Sequence, residues 1–77
     1  MNITVYTTRS CPFCVSAKAW LRDRNFTYTE IPLDDPADRQ KFKDDNPGMN
    51  TVPQIFVDGR HIGGFSDLAS SELAEDK

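Results

Sequence analysis

Two cysteines, Cys11 and Cys14, are the only thiols in the 77 residues, and they stand three positions apart in Arg9-Ser10-Cys11-Pro12-Phe13-Cys14. If a helix begins here, the two lie about one turn apart on neighbouring faces, the first able to meet solvent and the second behind it. A helix start supplies free N–H donors and a partial positive charge, both of which favour a thiolate. Cys11 is therefore assigned as the nucleophile of thiol–disulfide exchange: it attacks a disulfide sulfur, forms a mixed disulfide, and is released by a further thiol. A structural disulfide between the pair closes too short a loop to constrain the unfolded chain much. Structural zinc normally takes four ligands, and the chain offers two cysteines and one histidine, His61.

The elements that must position these thiols follow from local pattern. Ile3 and Val5 with Thr4 and Tyr6 predict a buried strand over 2–6. Pro12 suits the first turn of a helix running to about Arg24, with Val15, Ala17, Ala19, Trp20 and Leu21 as its apolar side. Asn25 breaks that pattern, and 26–31 alternates as a second strand closed by Pro32. Strand, helix and strand joined by short links suggest a parallel crossover. Asp35-Pro36 reads as an N-cap followed by proline at the first helical position, giving a second helix to Asp45 with Phe42 as its core contact. Residues 52–57 form a third strand, and Asp58-Gly59 is a hairpin signal leading to a fourth over 60–62. After Gly63-Gly64, Ser66 is expected to cap a last helix from Asp67 to about Glu75. The order βαβαββα is an α/β fold, a four-stranded mixed sheet flanked by three helices, in a single domain spanning 1–77. CxxC beside a βαβ unit is the sequence sign of a thioredoxin-like redox protein.

Composition narrows the partners. A domain of this size buries only about 60% of the surface its unfolded chain exposes, so its stability margin is thin. Nine Lys and Arg against twelve Asp and Glu give a net charge of −3, with the basic residues scattered. Nucleic acid, which needs a clustered basic footprint, is not an expected partner. No apolar run approaches the roughly 20 residues that cross a bilayer, and Met1-Asn2-Ile3-Thr4 lacks the form of a signal peptide. A cytoplasmic location with no membrane association is expected, where a close cysteine pair is more often catalytic or metal-binding than structural.

Three blocks in order carry a more specific resemblance: Cys11-Pro12-Phe13-Cys14, Thr51-Val52-Pro53-Gln54-Ile55-Phe56, and His61-Ile62-Gly63-Gly64-Phe65-Ser66-Asp67-Leu68. From Ile3 to about Leu68 the chain resembles the dithiol glutaredoxins of CPFC type. That resemblance implies a thioredoxin fold, glutathione as cosubstrate without a metal, a cis peptide before Pro53, and reduction of protein disulfides and glutathione mixed disulfides by a monomer. By position it implies Cys11 as nucleophile and Cys14 as resolving cysteine. Phe13 is the motif aromatic beside the groove, and Thr51, Val52 and Pro53 pair with the glutathione backbone. Gly64, Ser66 and Asp67 form the helix start that holds the γ-glutamyl end. Arg39 matches a basic position for the glycine carboxylate, whereas Lys41 and Lys43 have only their charge to suggest them. Family members often carry lysine where Thr8 stands, which makes Arg9 the candidate substitute, and many carry a third cysteine where Phe65 stands.

Two other functions fit the same blocks. One is an electron donor to ribonucleotide reductase recharged by a thioredoxin reductase, although such relatives typically lack a complete glutathione site. The other is a dimer holding a [2Fe–2S] cluster between two Cys11 thiolates and two glutathiones. Pro12 counts against it, since cluster-binding relatives more often lack that proline. His61 reads as a strand residue without catalytic work, and Trp20, Phe26, Tyr28, Phe42, Ile55 and Val57 as packing.

Overall fold

The computed structural model describes residues 1–75. Its elements are β1 (Ile3–Thr7), α1 (Pro12–Asp23), β2 (Thr29–Pro32), α2 (Pro36–Asp45), β3 (Gln54–Val57), β4 (Arg60–Gly63), α3 (Phe65–Ala69) and α4 (Glu72–Glu75). The sheet order is β2-β1-β3-β4. β1 pairs parallel with β2 and antiparallel with β3, which pairs antiparallel with β4. This is the mixed four-stranded sheet flanked by helices of the thioredoxin fold.

The strand period of two sorts β1 onto two faces. Ile3 and Val5 join Ala17, Leu21, Ile55, Val57, Leu68 and Leu73 in one apolar cluster. Tyr6 and Phe56 face the other way, where the Tyr6 ring lies 4.5 Å from Phe42 of α2 and 5.7 Å from Phe56. The sheet is thus covered on both sides, and the cysteine loop sits at the end of β1 between them.

Local chemistry sets most boundaries. α1 ends in a Schellman turn: Phe26 N–H donates to Leu21 O and Asn25 N–H to Arg22 O, with Asn25 at φ 63°. That turn uses the Phe26 backbone, and its ring stacks on Trp20 at 6.5 Å. The second strand consequently starts at Thr29, three residues later than the alternation at Phe26 suggests. Asp35 caps α2 through Ala37 N–H at 2.8 Å. Asp58 and Gly59, at φ 51° and 84°, form the left-handed pair that a tight hairpin requires.

Two expectations need correction. Val15 is 59% exposed, because the buried face of α1 runs through Cys14, Ala17 and Leu21. The last helix divides in two, and Ser66 does not cap it. Gly64 is the N-cap of α3, and the Asp67 carboxylate accepts the Gly64 N–H at 3.0 Å, so the turn closes two residues early. At the break, Ser71 Oγ accepts from Leu73 N–H and starts α4, which delivers Leu73 to the core.

Candidate active site

Cys11 is the N-cap of α1, with extended backbone and Pro12 as the first helical residue. The Cys14 N–H points at the Cys11 sulfur from 3.1 Å, so the helix start places a donor on the atom that must carry negative charge. On its other side the Cys11 thiol donates to Val52 O at 3.5 Å. Cys11 is 9% exposed and Cys14 1%. Cys11 is the less covered of the pair, but both are buried, against the expectation that Cys11 meets solvent, and the Val52 carbonyl lies against its sulfur.

Cys14 is the opposite case electrostatically. Burial, followed by its hydrogen bond to Cys11, pushes its thiol up to about 12, against the opposing Thr8 N–H. Both thiols are free in this structure.

Val52 precedes Pro53 across a cis peptide bond and lies outside β3. Its N–H has no partner among the described residues, and its carbonyl faces Cys11. A groove opens on each side of it. One is lined by Phe13, Thr51, Val52, Pro53, Gly64, Phe65 and Ser66. The other carries Arg39 and Lys43 together with Thr8, Ser10, Asn50, Thr51 and Val52. Phe13 is 64% exposed at the rim of the first.

Of the residues singled out from sequence, the fold gathers Cys11, Phe13, Arg39, Thr51, Val52, Pro53, Gly64 and Ser66 around these two grooves, with Cys14 beneath. Asp67 stands at the α3 start with Oδ2 engaged by Gly64 N–H. Arg9 is not brought to them. Its backbone N–H bonds Asp34 at 2.9 Å, and the residue lines a third groove with Val15, Lys18 and Glu30 on the β2 side. Arg39 is anchored by its own Nε, which donates to Leu33 O at 3.1 Å. Lys43, one turn further along α2, shares its groove with Met49 and Asn50, whereas Lys41 pairs with Asp45. The i, i+4 spacing of Arg39 and Lys43 is the signal that could have promoted Lys43. Among the described residues, no three His, Cys, Asp or Glu side chains gather as a metal site, and no helix is long and apolar enough to cross a membrane.

Comparison with known proteins places the fold in a family. The family model described as Glutaredoxin matches residues 3–62. Glutaredoxin 3 of Escherichia coli K12 is 42% identical over 67 residues, 87% of this chain and 81% of that protein. The crystal structure of glutaredoxin 1 from Francisella tularensis, complexed with cacodylate, superposes with TM-score 0.83 at 40% identity, covering 99% of this chain and 98% of that one. A buckwheat glutaredoxin–glutathione complex superposes with TM-score 0.79 at 25% identity, covering 97% and 70%.

Proposed function

The chain belongs to the glutaredoxin family and is a glutaredoxin-type thiol–disulfide oxidoreductase; from that premise we propose that it reduces protein disulfides and glutathione mixed disulfides with glutathione as cosubstrate, through a CPFC dithiol. The observation that carries this reading is the Cys11 sulfur, held between the Cys14 N–H and the Val52 carbonyl where two grooves meet.

The Cys11 thiolate attacks one sulfur of the substrate disulfide, the S–S bond breaks, and the departing thiolate takes a proton from solvent. Cys11 then carries a mixed disulfide. With a protein partner, Cys14 loses its proton and attacks the Cys11 sulfur, forming the Cys11–Cys14 disulfide and releasing the reduced protein. Capping Cys11 removes its charge and its hydrogen bond to Cys14, two of the causes that hold Cys14 protonated. Cys14 is therefore easier to ionise once it is needed. With a glutathionyl partner, a second glutathione attacks instead and leaves as glutathione disulfide.

Glutathione would suit the two grooves, one carrying Arg39 and Lys43 and the other ending at the start of α3. Its cysteinyl backbone would run beside Val52 as an added strand. Arg39 and Lys43 would meet the glycine carboxylate. Gly64, Phe65 and Ser66 would take the γ-glutamyl end, its carboxylate on the first-turn N–H groups and its ammonium near Asp67. A buckwheat relative solved with glutathione supports the ligand class. On this reading the chain acts as one domain over 1–77, as a monomer, on disulfide-bearing proteins that meet the exposed Phe13. No observation favours the reductase-coupled or cluster-bridged alternative over it.

A glutathione-coupled assay tests the proposal. Wild type should turn over a glutathionylated substrate, and Cys11→Ser should abolish turnover. Cys14→Ser should keep mixed-disulfide activity while losing most activity on protein disulfides. Full activity in Cys11→Ser would overturn the assignment.

A further inference from the structure

Gln54 opens β3 at 7% exposure, a buried polar residue that the exchange chemistry does not use. All of its side chain is nonetheless engaged. Nε2 donates to Thr51 O at 3.0 Å and to Thr51 Oγ1 at 3.3 Å, and Oε1 lies 2.6 Å from His61 Nε2. The orientation of a side-chain amide must be inferred from its partners, and Thr51 decides it, because a backbone carbonyl can only accept. The amide nitrogen must face Thr51, so Oε1 faces His61, and His61 must carry its proton on Nε2. The His61 ring packs against Phe56, centroids 5.1 Å apart.

A consequence falls on Thr51. Its hydroxyl oxygen already accepts from Gln54, so its own proton points elsewhere. Thr51 lines both grooves beside Val52, one of which holds Arg39 and Lys43.

We propose that Gln54, its amide oriented by the Thr51 carbonyl and steadied by the His61 donor, is a positioning residue that makes the Thr51 hydroxyl a hydrogen-bond donor toward the carboxylate of glutathione in the Arg39 and Lys43 groove. The inference rests on the glutathione reading above and adds a specificity determinant to it. A hydroxyl turned the other way would present lone pairs to the carboxylate and weaken the same contact.

Gln54→Glu keeps the side-chain shape but sets a carboxylate against Thr51 O and draws the Thr51 proton inward. The KM for glutathione should rise roughly tenfold with kcat within about twofold, the scale of one hydrogen bond to a charged group. Thr51→Val should give the same rise, and the double variant no further rise. Replacing glutathione with 2-mercaptoethanol, which has no carboxylate, should erase all three differences. Additive effects in the double variant, or equal losses with 2-mercaptoethanol, would overturn the inference. If Gln54→Glu does not fold, His61→Ala and His61→Gln serve instead: the first should raise the glutathione KM and the second, which restores a donor, should recover it. Failure of that recovery counts against the inference. ¹⁵N NMR of the neutral His61 ring should show the Nε2–H tautomer, and the Nδ1–H form would contradict it. A wild type with no preference for glutathione over 2-mercaptoethanol overturns the glutathione reading as well. A preference untouched by Gln54→Glu overturns this inference alone.

Discussion

The two cysteines share one motif and differ in almost every physical respect. Cys11 receives an N–H at its sulfur and donates its thiol to the Val52 carbonyl, while Cys14 is buried behind it with its thiol pushed up to about 12. That asymmetry assigns attack to one and resolution to the other. It also couples them, since part of the Cys14 shift comes from Cys11 itself. In the reduced protein, the ¹³Cβ signal of Cys14 should therefore titrate near the top of the alkaline range. When Cys11 is blocked as a mixed disulfide, the midpoint should move down. A Cys14 midpoint below 9, the ordinary thiol value, in the reduced protein would contradict the assignment.

At the scale of elements, the crossover from β1 through α1 to β2 is fastened behind the cysteines by a small polar cluster. Glu30 of β2 accepts from Thr7 at 2.7 Å and from Lys18 of α1 at 2.9 Å. The Lys18 bond first, then that of Thr7, holds the Glu30 carboxyl below its ordinary value. Glu30→Ala should cost about 1–2 kcal/mol at pH 7, mostly because the buried Thr7 hydroxyl loses its partner and only slightly from the half-exposed ion pair. A carboxylate with a depressed folded value stabilises above its unfolded value, near 4.5, and that stabilisation fades as pH falls through the lower folded one. Urea denaturation should accordingly show the gap between wild type and variant narrowing from pH 7 to pH 3. An undiminished gap would rule out the charged part of the interaction. The element boundaries also mark how far a sequence can be read. Asn25, Asp35-Pro36 and Asp58-Gly59 each act through their own φ values or side chains, so local pattern reveals them. The late start of β2 depends on a ring stack between Trp20 and Phe26, and the early α3 cap depends on Asp67 reaching back past Ser66. Such contacts leave little trace in alternation or propensity.

Over the whole molecule, a small core is shared between the sheet and both ends of the chain. Leu73, on the short α4, is 2% exposed and belongs to the same cluster as Ile3 and Val5. Leu73→Ala should cost about 2–5 kcal/mol, a large part of what a domain of this size possesses. A thermal midpoint unchanged by Leu73→Ala would show that α4 does not complete the core. The candidate site is likewise assembled from distant stretches. Its cysteines, the 51–53 segment and Gly64 were legible because each belongs to a short motif. Lys43, Met49 and Asn50 were not, because they reach the groove only when α2 and the following loop fold beside Val52. Arg9 illustrates the reverse, since proximity to Cys11 in sequence left its side of the loop undetermined. Cys11 alone should receive the glutathionyl group while Cys14 waits in reserve. Exposing reduced Cys14→Ser to glutathione disulfide and mapping the product by mass spectrometry tests it directly. A single glutathionyl adduct should form on Cys11, far faster than any adduct on Cys14 in the Cys11→Ser protein. Equal rates at the two cysteines, or no adduct on Cys11, would contradict it.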